Sequence, residues 1–136
     1  MADIEILEVD VEGVGQPLND GSSGSALYRV PIKLSATPSN LWAEIAIATW
    51  DRPPSYTTMH RPGIASVVGD RFVLDGTDLE EVEAYHAKTL KLVVEKANQL
   101  TREAEERIRA EERRQEAEAK AHAENVETVA KRIKFD

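Results

Sequence analysis

After Gly76 the chain runs 60 residues to its end without a single glycine or proline. Those two residues are the usual local terminators of helices. Nothing in the last two-fifths of the sequence therefore interrupts a helix once one has begun. A start signal stands where it is needed: Thr77-Asp78-Leu79-Glu80 has the form of a capping box, with Thr77 as N-cap and Glu80 reaching back. Asp78, Glu80, Glu81 and Glu83 add negative charge at the positive end of the helix dipole. A continuous helix of about 55 residues would be about 80 Å long. A small sheet is far shorter than that, so only the first part can lie against a core.

The two parts of this helix differ in chemistry. Leu79, Val82, His86, Leu90, Val93, Ala97, Leu100, Ala104 and Ile108 follow one another in steps of three and four. Leu92 and Val94 widen that stripe into a face able to cover a sheet. From Thr101 to Ala123 the stripe thins to alanines among Glu and Arg, with Glu103–Arg107, Glu105–Arg109, Glu116–Lys120 and Glu127–Lys131 at i,i+4. It returns at Ala119, His122, Val126, Val129 and Ile133, spaced like a short coiled-coil seam. The sequence thus divides into a sheet-plus-helix domain over 1–100 and a charged helical extension over 101–136.

The front of the chain reads as strands. Over residues 3–12 the apolar positions Ile4 and Ile6 have one parity and Leu7, Val9 and Val11 the other. Strict alternation cannot keep both sets on one face, so the pattern predicts a bulge at the switch or burial on both sides. Residues 13–26 hold four glycines and three serines and read as loop. Tyr28, Val30, Ile32 and Leu34 line one face of a strand over 27–35, and Pro31 within it predicts an edge position or a bulge. Residues 41–50 are almost uniformly apolar and read as a central strand, a short buried helix being the competing reading. Two further strands, 64–68 and 71–74, flank the hairpin pair Gly69-Asp70. The expectation is an α+β fold: an antiparallel sheet of about five strands against the start of one long C-terminal helix.

Composition narrows function mainly by exclusion. The net charge is −8, and residues 1–76 carry ten acids against five bases. No basic patch is available to neutralise phosphates, which disfavours nucleic acid and anionic lipid as partners. With no cysteine there are no disulfides, thiolate ligands or cysteine nucleophiles. No leader and no apolar run of membrane-spanning length is visible, so a cytoplasmic location is expected.

No motif declares a reaction, and no catalytic set, metal site or cofactor is expected. Gly13-Val14-Gly15 lacks the third glycine and the following helix of a dinucleotide loop. The densest reactive cluster off the helix is His60-Arg61 in the loop 51–63, near Asp51, Arg52 and Tyr56. Such a histidine beside an arginine could hold an anion or move a proton, with His86 facing it from the helix. Against that stands an ordinary proline-rich loop packing Tyr56 and Met59, and a half-buried structural His86. Trp42 and Trp50 read as core, or as partner anchors if exposed. Three functional readings follow. The first is a non-enzymatic interaction or scaffold protein, with a sheet module for binding and a C-terminal helix, through Ala119, His122, Val126, Val129 and Ile133, for self-association or partner docking. The second is a small enzyme or ligand-binding protein using Tyr56, His60, Arg61 and His86. The third is an acidic, antitoxin-like inhibitor of a basic partner.

Overall fold

The computed structural model describes residues 2–136 and has the mixed α+β architecture that the sequence predicts. Four strands form one antiparallel sheet: β1 (Ile6–Val9), β2 (Tyr28–Leu34), β3 (Ala65–Val68) and β4 (Arg71–Thr77), in the order β1-β2-β4-β3. Between β2 and β3 lies helix α1 (Asn40–Asp51). After β4 comes the long helix α2, made of a first turn Leu79–Glu81, a π-helical turn Val82–His86 and the α-helix Ala87–Arg132. By its internal contacts the chain divides into a body ending at Thr101 and a second unit, Arg102–Asp136.

The sheet has four strands rather than about five because residues 41–50 are helical, which makes the chain order β-β-α-β-β-α. Ser39 is the N-cap of α1, its hydroxyl accepting from Trp42 N–H at 3.1 Å. Trp42, Ala46 and Trp50 are the buried residues of α1, four apart, so they share one helical face. The two tryptophans are eight residues apart. That spacing fits a two-residue period as well as a helical one, and so parity could not separate the two readings. Both are core residues, 1% and 0% exposed, which removes them as partner anchors.

The parity switch at Ile6–Leu7 is a bulge. Ile6 pairs with Leu34 and Glu8 with Lys33, so Leu7 is the extra residue, and it is exposed. Pro31 is neither at an edge nor at a bulge: β2 pairs with both β1 and β4, and Pro31 stands in regular register opposite Val73. β1 ends opposite Ile32, and the carbonyl of Pro31 accepts from Asp10 N–H at 2.9 Å, beyond the last paired residue. A residue's N–H and C=O point to the same side of a strand. The missing N–H therefore falls where the ladder has already finished. Gly13 and Gly15 serve close approach here. A Cβ on Gly13 would come within 2.8 Å of Pro31 Cγ, and one on Gly15 within 3.2 Å of Arg29 N. The hairpin Gly69-Asp70 joins β3 to β4, with Gly69 at φ +58°, a conformation suited to glycine at the first position of a two-residue turn.

Val30, Ile32 and Leu34 of β2 and Phe72 and Leu74 of β4 meet Trp42, Ala46 and Trp50 of α1 in the core. Val82, Leu90, Val93, Val94 and Ala97 of α2 complete it. Polar side chains enter from α2 as well: Thr89, Asn98 and Thr101 are buried. Asn98 is the most connected of them. Its carbonyl oxygen accepts from Ile4 N–H at 3.0 Å and from Trp42 Nε1–H at 2.8 Å, and its amide donates to Ile4 C=O at 2.9 Å.

In the second unit every side chain from Glu106 onward is exposed. The helix is laced by Arg109–Glu106, Arg113–Glu106, Arg114–Glu111, Arg114–Glu118 and Lys131–Glu127 ion pairs. Of the i,i+4 pairs expected, Glu127–Lys131 forms, at 2.9 Å, while Arg109 turns to Glu106 instead of Glu105. Such exposed pairs contribute a few tenths of a kcal/mol each. Among the described residues no helix is long and apolar enough to cross a membrane.

Replacing Asn98 by leucine keeps the number and branching of the side-chain heavy atoms and removes all three hydrogen bonds. Trp42 Nε1–H and both backbone groups of Ile4 would then be buried without partners. The expected loss is about 2–4 kcal/mol, read as a lower urea midpoint at unchanged m-value.

Candidate functional site

The helix start that positions the site lies one residue later than the capping box predicts. Thr77 is the last residue of β4, opposite Tyr28, and Asp78 is the N-cap, its carboxylate accepting from Glu81 N–H at 2.7 Å. The N–H of Leu79, which has no intrahelical partner, donates to Tyr28 Oη at 2.9 Å. Glu81 does not return to the cap. It accepts from the Thr77 hydroxyl at 2.8 Å and takes both arms of the Arg61 guanidinium, at 2.8 and 2.7 Å.

The π turn then sets what Glu81 faces. Residues five apart on an α-helix are turned about 140° from each other. The wider turn over Val82–His86 brings His86 back toward Glu81, with Nε2 3.6 Å from Oε1. That is too long for a hydrogen bond. Neither ring nitrogen of His86 has a partner, although the side chain is fully buried.

Trp50 is the hub of the cluster. Its indole N–H donates to the Arg61 carbonyl at 2.8 Å, and its own carbonyl lies 2.7 Å from His60 Nε2. Its ring centroid is 4.7 Å from that of His60 and 5.4 Å from that of His86. Tyr56 closes the outer side of His60 at 5.4 Å, edge to face, and is itself exposed. Asp51 accepts from Gly63 N–H at 2.8 Å, closing the loop 51–63 on the end of α1. Of the four residues singled out from the sequence, His60, Arg61 and His86 meet the Trp50 indole directly, and Tyr56 joins through His60.

The electrostatics follow from these contacts. The Arg61 guanidinium, with the Thr77 hydroxyl, holds the Glu81 carboxyl down to about 2, against the opposing effect of burial. Glu81 in turn raises Arg61. Burial lowers His86, and the nearby Glu81 carboxylate only partly offsets it. The cluster therefore holds one ionised pair, Arg61 and Glu81, and His86 is held toward its neutral form. Arg61 has its bidentate face occupied, and His60 Nε2 is engaged by a carbonyl. Among the described residues no group of three or more His, Cys, Asp or Glu is placed to hold a metal ion.

Sequence reading missed Glu81, Thr77 and the role of Trp50. Glu81 was one of four acids at a helix start, where the dipole already accounts for acids, and only its partner distinguishes it. The other proposed set, Ala119, His122, Val126, Val129 and Ile133, belongs to the second unit and is exposed throughout, with Ile133 one residue past the helix end. Comparisons of the chain with family models, with curated proteins and with solved structures return no match.

The protonation states set the acid stability. His86 is lowered in the folded chain, whereas the unfolded imidazole takes its proton near the ordinary value of about 6.5. Below that pH the unfolded state binds more protons, so stability falls on acidification, by at most about 1.4 kcal/mol per pH unit. Glu81 acts lower: its contribution is complete above its unfolded value of 4.5 and is lost as pH falls toward about 2. Urea midpoints measured between pH 7 and 5 should fall in the parent. His86→Leu is expected to flatten that dependence and to be neutral or stabilising at pH 7, since it removes two unpartnered buried nitrogens.

Proposed function

We propose that the protein is a non-enzymatic assembly protein. A folded sheet-and-helix body forms the head, and residues 102–136 form an arm that pairs with another helix to oligomerise it. The observation that carries this reading is the exposed seam: Val126 and Val129 are 51% and 38% exposed on a helix that contributes nothing to the core beyond Thr101, and Ile133, one residue past its end, is 53% exposed. The three recur at three-four spacing with Ala119 and His122, the pattern that buries itself when a second helix is laid along it.

The arrangement of the body favours this over a ligand site at Tyr56, His60, Arg61 and His86. The charge that would hold an anion is already spent on Glu81, and the polar contacts there tie the loop 51–63 to α1 and α2. An acidic inhibitor has less support. Of the five acids in residues 3–12, Glu8 pairs with Lys33 at 3.3 Å and Asp10 with Arg71 at 3.0 Å. The acidic strand therefore presents less free charge than its sequence implies.

Sedimentation velocity across a concentration series tests the reading. The full chain is expected to show a mass that rises with concentration. A chain ending at Glu106, and the full chain carrying Val126→Glu and Val129→Glu, are expected to stay monomeric with the circular dichroism of a folded body. A full chain that remains monomeric at every concentration overturns it.

A further inference from the structure

The seam and its flanking charges point to one occupant. We propose that the arm pairs with the arm of a second copy of this chain, antiparallel, with Glu118 of each copy opposite Arg132 of the other. This rests on the assembly reading above and adds the partner, the direction and the alignment.

The argument starts from the heptad phase that Ala119, His122, Val126, Val129 and Ile133 define. Continued toward the N-terminus at the same spacing, the seam runs through Glu105, Ile108, Glu112 and Gln115. The positions beside it are Ala104, Arg109, Glu111, Glu116 and Glu118 in the first half, and Ala123, Asn125, Ala130 and Arg132 in the second. The flanks are therefore acidic over residues 111–118, with Arg109 before them, and uncharged over residues 123–130 up to Arg132.

A parallel pair in register sets each residue against its own copy. Glu105 would face Glu105 and Glu112 would face Glu112 in the seam, and Glu111 would flank Glu116 on both sides. No opposite charges would meet. An antiparallel pair sets the acidic flank of residues 111–118 against the flank that ends in Arg132. With Glu118 against Arg132, two opposite-charge pairs form by symmetry, and Asn125 falls on the two-fold axis. Ala119 then meets Val129, Val126 meets His122, and Ala123 meets its own copy, where small side chains allow close approach. Glu112 falls opposite residue 136, past the end of the helix at Arg132. The helix dipoles also oppose one another.

The available groups suit this alignment. Arg132 has no ion-pair partner among the described residues, and Glu118 has only Arg114 of its own helix, at 3.4 Å and largely exposed. Opposite charges facing across a helix pair set orientation and register more than they set affinity.

The chain has no cysteine, so a single introduced thiol gives a unique spin label. Glu124→Cys and Ala110→Cys both lie on the side of the helix away from the seam. In the proposed pair residue 124 faces its own copy, whereas the two copies of residue 110 are offset by 28 positions, about 42 Å at 1.5 Å per residue. Pulsed dipolar spectroscopy on the full-length chain is expected to give about 20–30 Å at 124 and about 45 Å or more at 110. Short distances at both positions mean a parallel pair and overturn the inference while leaving the assembly reading intact. The absence of any dimer overturns both. The alignment is tested separately by Glu118→Arg and Arg132→Glu. Each alone is expected to weaken the dimer about five- to tenfold and the two together to restore it to within about twofold. Failure of the double variant to recover overturns the alignment.

Discussion

The body is held in one arrangement by a single buried amide. Asn98 ties the chain's N-terminal segment, the indole of α1 and the long helix together through three hydrogen bonds. Each group it meets is buried and would otherwise lack a partner. Apolar contacts among Trp42, Leu90, Val93 and Val94 favour burial but are tolerant of sliding. The amide is not, because an unsatisfied donor in that place costs about as much as the contacts gain. The lead-in at Ile4 is held to α2 in this way, and from it β1 runs antiparallel to β2, its bulge at Leu7 absorbing the switch in apolar parity.

A second polar set fixes the other end of α2, and it is less completely satisfied. Arg61 and Glu81 satisfy one another, and Thr77 satisfies what remains of the carboxylate. His86 is left buried and without a hydrogen-bond partner, its neutral form favoured, on a π turn that interrupts the regular ladder. Such turns and such orphaned groups occur disproportionately where proteins do chemistry. Here the surrounding contacts give a structural account first: the indole of Trp50 is braced by His60, His86 and the Arg61 carbonyl, and the loop is closed by Asp51. The same residues that make the cluster look reactive in sequence are those that consume its reactive groups.

What the sequence made legible, and what it hid, follows from how many structures each local pattern can satisfy. The bulge at Leu7 was legible because a parity switch has few solutions in a half-buried strand. The hairpin at Gly69-Asp70 and the long helix were legible for the same reason. α1 was hidden because tryptophans eight apart fit both periods, and because an Ala- and Ile-rich run has little amphipathic contrast. The cap moved from Thr77 to Asp78 because pairing with Tyr28 kept Thr77 in β4, a non-local contact that no local rule contains. Pro31 was misplaced at an edge because its neighbour β1 ends one residue too soon to need the missing donor. In the cluster, proximity of His60, Arg61 and His86 could be guessed from elements, but Glu81 could not, since its neighbours in sequence are equally acidic.

The arm poses the opposite problem, a regular structure with almost no tertiary support. An isolated helix of its composition faces the cost of a first turn, which fixes several residues for one hydrogen bond. That cost does not arise here. The helix is nucleated at Asp78, Tyr28 and Glu81 and stabilised by burial through Thr101, so the arm need only propagate. Glu, Arg, Lys and Ala propagate well, and the ion pairs along the surface add a little more. The consequence is a seam that is already ordered before it meets anything. In the proposed pair, a partner helix gains the burial of Val126 and Val129 without the ordering entropy that a disordered tail would lose on binding. On that reading a seam of two heptads can therefore suffice where the same residues in a flexible tail would not.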